Sequence, residues 1–274
     1  MFKSNLAARI FTCVVGIPVL FALIFLLPQY NYIGLSILIF VLSLFGTIEM
    51  SKLLFKKTVV ASYIVWILPV IEYFKSGITD YVFLSLICFL LFIQVGFGEK
   101  DDFKSSLSDG AKYVLLTVYP SYFLSFVVRL LKLENISPCA IVLFLALVFA
   151  NDIFAYVFGM LFGKYTSHPF KASPKKSLAG FLGGFLSTIA LSFLYCTLLS
   201  DKVSNPTVAD MLVLGMGMSV FANMGDLVES VFKRSAGVKD SGAVIPGRGG
   251  ILDCIDSIIF SAPFFYIMYS GFAL

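Results

Sequence analysis

Charge is scarce in this chain. Asp, Glu, Lys and Arg make up 13% of its 274 residues, where soluble domains carry about a quarter. That scarcity excludes an ordinary water-solvated globule. Histidine occurs once, at His168 beside Pro169, and a lone loop histidine supports neither a Ser-His or Cys-His nucleophile nor a metal ligand. The five cysteines, Cys13, Cys88, Cys139, Cys196 and Cys254, show no paired spacing, which argues against a disulfide framework and a zinc site. All five fall within or at the ends of apolar segments, where a thiol is a small apolar filler. No internal repeat, low-complexity tract or soluble domain is evident.

What remains is hydrocarbon. Hydrophobic residues make up 59% of the chain, with thirty Phe, and the mean hydropathy is +0.96. A membrane span needs roughly twenty apolar residues, and nine segments qualify: Ile10–Leu27, Ile33–Met50, Val59–Phe74, Ile78–Phe97, Tyr113–Leu131, Cys139–Phe162, Gly180–Ser200, Val208–Gly225 and Ile251–Phe272. Lipid offers no partners to unpaired backbone groups, so each is predicted to be helical. The expected fold is all-α, a polytopic transmembrane bundle. Pro18 lies inside the first run and no small-x-small site follows it, so an uncleaved first helix is expected.

The cations set the orientation. With a cytoplasmic N-terminus, only Lys75, Arg129, Lys132 and Lys202 fall outside, and the other sixteen of the twenty lysines and arginines fall inside. This is the positive-inside pattern.

Polarity concentrates in the second half. Residues 1–135 read as a scaffold of transmembrane helices, with Glu49 and Glu72 as helix-end carboxylates of no assigned role. Residues 136–274 read as the catalytic region, with a cytoplasmic loop over 226–256. Asp152 stands within the sixth apolar run, where a carboxylate costs a few kcal/mol and normally faces a partner or a watery cavity. In "FKASPKKSLAGFLGG", Ser173, Lys175, Lys176 and Ser177 precede a glycine-rich helix start, an arrangement suited to an anion. Gly180, Gly183 and Gly184 also read as close helix packing. In "NMGDLVESVFKR", Asp226, Glu229, Ser230 and Lys233 recur at three and four residues on one helical face. Asp253 and Asp256 share a face in the same way. Carboxylates at two helix ends suit a hard divalent cation, Mg2+ above all, which keeps waters for substrate phosphates. Between them lie Lys239, Asp240 and the turn "SGAVIPGRGG", whose glycines admit a close backbone approach to phosphate.

Ser230, Lys233, Arg234, Lys239, Asp240, Ser241, Pro246, Gly247, Gly249, Gly250, Asp253 and Asp256 resemble the signature of the phosphatidate cytidylyltransferases, the CDP-diacylglycerol synthases. Asp152 with Ala155-Tyr156, and the segment Ser173-Pro174-Lys175-Lys176-Ser177, match that family's upstream segments in order and spacing. Three positions depart: Arg248 replaces a histidine, Cys254 an arginine, and Ala179 a glutamate. The resemblance implies transfer of cytidylyl from CTP to phosphatidic acid in phospholipid biosynthesis. It implies that Asp226, Asp253 and Asp256, with Ser230, hold Mg2+, with room for a second, monovalent cation such as K+. Lys233 and Lys239 join the aspartates as catalytic groups. Asp152, Ser173, Lys175, Lys176, Ser177, Glu229, Arg234, Asp240 and Arg248 are implied in substrate binding.

The expected partners are CTP, phosphatidic acid and membrane lipids, with no nucleic acid, and the resemblance suggests a homodimer. The expected location is a bacterial inner membrane, with the site facing the cytosol. Two other readings stay open at this level: a CTP-dependent polyprenol or phytol kinase, and an ion-coupled transporter. The topology has a direct check. A cysteine introduced at Ser173 should be protected from a membrane-impermeant thiol reagent applied to intact cells, and one at Ser204 should be labelled; the reverse pattern overturns the orientation.

Overall fold

The computed structural model describes residue 12 and residues 14–97, 103–134, 136–198 and 206–272. Cys13, Lys202 and Ser204, named above, lie outside the described residues. Among the described residues there is no β-strand, and the nine predicted apolar segments are all helical. They are α1 (Val14–Leu26), α2 (Gln29–Phe55), α3 (Ser62–Phe74), α4 (Thr79–Phe97), α5 (Phe103–Leu131), α6 (Pro138–Phe162), α7 (Leu178–Leu198), α8 (Val208–Ser235) and α9 (Leu252–Phe272).

Six of these, α2 and α5 to α9, are long and apolar enough to cross a membrane. The apolar stretches Val14–Leu26, Ser62–Phe74 and Thr79–Gln94 are shorter. At 1.5 Å per residue α3 reaches about 20 Å, less than the ~30 Å hydrocarbon core. Six of the nine expected crossings are thus helices of crossing length, and the other three are shorter apolar helices. Several helices also outrun their apolar cores: α5 begins at Phe103 rather than Tyr113, and α8 continues to Ser235 rather than Gly225. An apolar run reports the thickness of lipid, whereas helical hydrogen bonding continues into the polar flank. Many large apolar side chains face outward, among them Phe92, Leu186 and Ile267, as lipid contact requires.

The chain forms two compact units. The first holds the residues up to Lys132 together with Ser235–Cys254, and the second holds Leu133–Arg234 together with the residues from Ile255 on.

In the first unit α2 carries a row of buried hydroxyls spaced one turn apart, Ser43, Thr47 and Ser51. Ser51 serves the approach to α3, donating to the carbonyl of Lys57 and accepting from the amide of Val59. Ser43 and Thr47 answer a break in α3, whose helical pieces are Ser62–Val65 and Leu68–Phe74. The Ser43 hydroxyl donates to the carbonyl of Trp66 at 3.1 Å, and that of Thr47 to the carbonyl of Ser62 at 3.1 Å. Ser121 of α5 donates to the carbonyl of Val65 at 2.5 Å. A broken helix survives in an apolar setting only where neighbours take up the freed backbone groups. An ionic cluster lies beside the end of α3. Arg129 Nε donates to Glu72 at 3.0 Å and Arg129 Nη2 to Asp80 at 2.6 Å. Lys132 donates to the carbonyls of Glu72 and Tyr73. Glu72 therefore neutralises a largely buried guanidinium.

In the second unit α6 opens on a Ser-Pro start, with Ser137 accepting from the amide of Cys139 at 3.2 Å. Ser is favoured at such a cap, and Pro at the first helical position. The start of α8 is a reciprocal cap: Thr207 Oγ1 accepts from the amide of Asp210, whose carboxylate accepts from the amide of Thr207. Helices α6 and α7 pack at small residues. A Cβ at Gly180 would come within 2.6 Å of the Ala155 carbonyl, and one at Gly184 within 2.7 Å of Asn151 Oδ1. These glycines permit close helix contact, as the packing reading held.

The ionic cluster yields a graded prediction. Glu72→Ala removes the buried partner of Arg129, leaving it only the half-exposed Asp80, and should lower stability in detergent by about 3 kcal/mol. Asp80→Ala should cost about 1 kcal/mol or less, because the Asp80 side chain is 46% exposed against 1% for Glu72. Thermal melts of both variants compare the two; equal losses overturn the ranking.

Candidate active site

The signature loop is built on two carboxylates of the first unit. Asp253, in the first turn of α9, accepts through Oδ2 from the amide of Ser241 at 2.8 Å, the hydroxyl of Ser241 at 2.9 Å and the amide of Gly250 at 2.8 Å. Glu49, near the end of α2, is 5% exposed. Its Oε1 accepts from the amide of Ile251 at 3.0 Å. Its Oε2 accepts from the amide of Leu252 and the hydroxyl of Ser241, both at 2.9 Å. The first amides of a helix lack intrahelical acceptors and carry partial positive charge, so a carboxylate is an apt cap for α9.

Two corrections follow. Glu49 is not a helix-end anchor but the residue that clasps the loop. The glycines of the turn also serve the chain's own carboxylates: a Cβ at Gly242 or Gly250 would come within 2.5 Å of Glu49, and one at Gly249 within 2.6 Å of Asp253 Oδ2. Beyond them, Ile245 and Gly249 exchange two backbone hydrogen bonds, at 2.8 and 3.1 Å, that close a tight turn. Gly247 and Gly249 adopt φ of +77° and +106° there, which glycine alone adopts readily. Arg248 is exposed at the tip of this turn, and Lys239 and Asp240 are exposed ahead of it.

The second unit holds the other acidic group. Gly225 of α8 lies so close to the Asp256 carbonyl that a side chain there would collide with it, which brings the next residue, Asp226, to α9. Asp256 is buried, its Oδ1 accepting from the amide of Ser257 at 2.6 Å, and the charges acting on it are those of Asp226, Glu229 and Asp152. Asp226 pairs through Oδ2 with Lys176, and Ser230 donates to its Oδ1 at 3.5 Å. Glu229 is fully buried and pairs with Lys233. Lys175 and Arg234 are exposed. Among the described residues no three acidic, histidine or cysteine side chains converge as a ready metal cage.

The Ser173–Ser177 segment corrects the anion reading of the α7 start. The amide of Leu178 donates to the carbonyl of Ser167, that of Ala179 to the hydroxyl of Thr166, and that of Gly180 to the hydroxyl of Ser177. Ser177 is a buried N-cap, and these amides are already satisfied. Ser173 closes two successive turns, donating its amide to the carbonyl of Phe170 and accepting from the amide of Lys176. What the segment presents is its lysines. On α6 Asp152 is exposed, and Asn151 is the buried polar residue. Asn151 accepts from Ser219 at 2.7 Å and Asn223 at 3.0 Å, and donates to Asp152 at 3.3 Å.

Glu49 was the residue missed in the sequence. Its signal was a carboxylate inside the apolar run "GTIEMSKLL"; its partners, about two hundred residues away, are invisible to local spacing.

The chain is similar to several known proteins. The chain is 37% identical over 161 residues to a phosphatidate cytidylyltransferase of Thermotoga maritima, covering 58% of each chain. It is 40% identical over 124 residues to that of Haemophilus influenzae, covering 45% of this chain and 43% of the relative. With that of Staphylococcus epidermidis it shares 43% identity over 122 residues, 44% of this chain and 45% of the relative. The matched stretch thus spans about half the length of these curated relatives. The model of the cytidylyltransferase family matches residues 7–272, and with nearly the whole sequence covered, the chain belongs to that family.

Proposed function

We propose that this protein transfers a cytidylyl group from CTP to phosphatidic acid, giving CDP-diacylglycerol and pyrophosphate. The observation that carries the reading is the close approach of α8 to α9 at Gly225 and Asp256, which brings Asp226 to the helix that carries Asp256, with Lys176 paired to Asp226, in a family whose relatives bear that activity's name. An oxygen of the lipid phosphate bonds to the α-phosphorus of CTP. The bond from that phosphorus to the α,β-bridging oxygen breaks, and its electron pair leaves with pyrophosphate. A phosphate monoester has a second pKa of about 6 and is largely dianionic at pH 7. The nucleophile thus needs no base, in keeping with a chain that has one histidine.

The demand on the protein is to hold several anions in line and offset their charge. Asp226, Asp256 and Ser230 offer hard oxygen donors. Magnesium takes one or two carboxylates and completes its shell with water and phosphate, so this donor set fits it without a three-carboxylate cage. When bound, Mg2+ would neutralise charge on the reacting phosphoryl oxygens. Lys176, beside Asp226, brings an ammonium to the same place, and Lys233 is steadied by Glu229 one turn away. The exposed Lys175, Arg234, Lys239 and Arg248 are assigned to substrate phosphates, and Asp240 to the turn that presents two of them. Asp253 shapes that turn through Oδ2 and is assigned, with Asp226 and Asp256, to the catalytic carboxylates. A monovalent second cation, a homodimer, a nine-pass topology and a cytosolic face at a bacterial inner membrane belong to the same proposal.

The test is an assay of purified protein with CTP, phosphatidic acid and Mg2+, other nucleotides serving as controls. Pyrophosphate release should require both substrates and the metal; release without the lipid, or none at all, overturns the reading. Asp226→Asn and Asp256→Asn should each lower kcat by about 10³-fold in protein that still inserts and melts cooperatively. Near-normal turnover in both would remove these carboxylates from the site.

A further inference from the structure

Glu49 is a buried carboxylate that the mechanism above leaves without a task. It comes from α2, yet its hydrogen bonds go to the loop and helix start that carry Asp253. Oε1 receives the amide of Ile251 at 3.0 Å, and Oε2 receives the amide of Leu252 at 2.9 Å. Those amides immediately precede Asp253, so the carboxylate sets the backbone from which that side chain projects. The Ser241 hydroxyl lies 2.9 Å from Glu49 Oε2 and 2.9 Å from Asp253 Oδ2. A hydroxyl has one proton, so it donates to one carboxylate at a time, and each is oriented by the group that also serves the other. Gly242 and Gly250 leave room for Glu49 that no other residue would leave.

We propose that Glu49 is a positioning residue for the transfer reaction, fixing from α2 the loop Ser241–Asp253 and through it the orientation of Asp253. The inference rests on the activity proposed above. A carboxylate is required at this position because three donors converge on it. A glutamine has one acceptor oxygen and turns an amide N–H₂ toward a backbone N–H. That confrontation costs more than the bond it loses, and the loop must shift to relieve it.

The experiment uses the full chain in lipid nanodiscs, as wild type, Glu49→Gln, Glu49→Asp and Ser241→Ala. Hydrogen exchange is read over residues 241–253 and over α6 to α8, and kcat and KM for CTP are measured on the same samples. Glu49→Gln should exchange faster over 241–253 with α6 to α8 unchanged. Its kcat should fall on the order of 10²-fold, the scale of a small misplacement of reacting groups, while KM for CTP moves by less than about threefold. Glu49→Asp, which keeps both acceptor oxygens, should recover part of the rate, and Ser241→Ala should show a smaller loss in the same direction. If Glu49→Gln fails to insert, the other two variants decide by the same readouts. Faster loop exchange with kcat intact reduces Glu49 to a structural cap and overturns the proposal. Lost kcat with loop exchange unchanged, or accompanied by faster exchange throughout α6 to α8, overturns it as well. A wild type without lipid-dependent turnover overturns the activity reading instead, and the exchange arm still decides whether Glu49 holds the loop.

Discussion

In an apolar surround every backbone amide and carbonyl must find its partner within the protein, and much of this structure answers that one requirement. Water cannot complete a broken helix or an exposed helix end inside the hydrocarbon region, where an unsatisfied group costs several kcal/mol. Side chains of α2 and α5 therefore supply donors to the break in α3. The turn before α7 supplies acceptors to that helix's first amides. A carboxylate from α2 does the same for α9. In each case a short polar side chain lies on an otherwise apolar helix, and its place follows from the backbone group it serves.

The same requirement shapes the acidic groups. A buried or half-buried carboxylate needs donors or a cation, and this chain answers in two ways. Glu49 and Asp253 are met by backbone amides and one serine, a neutral solution that ties the loop to α2 and α9. Asp226 and Glu229 are met by Lys176 and Lys233, a charged solution in which positive groups already stand among the carboxylates. The first kind suits scaffolding, because amides cannot leave. The second suits chemistry on phosphates, because an ammonium can exchange its carboxylate for an incoming anion.

Much of this was legible from the amino-acid order. Long apolar runs in a chain with 13% charge require transmembrane helices whatever the details, because hydrophobic transfer and backbone satisfaction depend on composition and local hydrogen bonding. The spacing of Asp226, Glu229, Ser230 and Lys233 placed them on one face of a helix, since 3.6 residues make a turn. The signature residues and their order carried the family resemblance, which the match over residues 7–272 supports.

Tertiary structure decided what depends on distant partners. The break in α3 and the limited length of that helix were hidden in an apolar run, because hydropathy does not record where a helix bends. The α7 start resembled an anion site until Thr166, Ser167 and Ser177 took up its amides, and only the folded turn brings those acceptors there. Glu49 resembled a surface anchor because its flanks are ordinary. Its role comes from Ser241, Ile251 and Leu252, which the fold brings to it across about two hundred residues. Local periodicity fixes which face a side chain occupies, and only three-dimensional packing determines what that face meets.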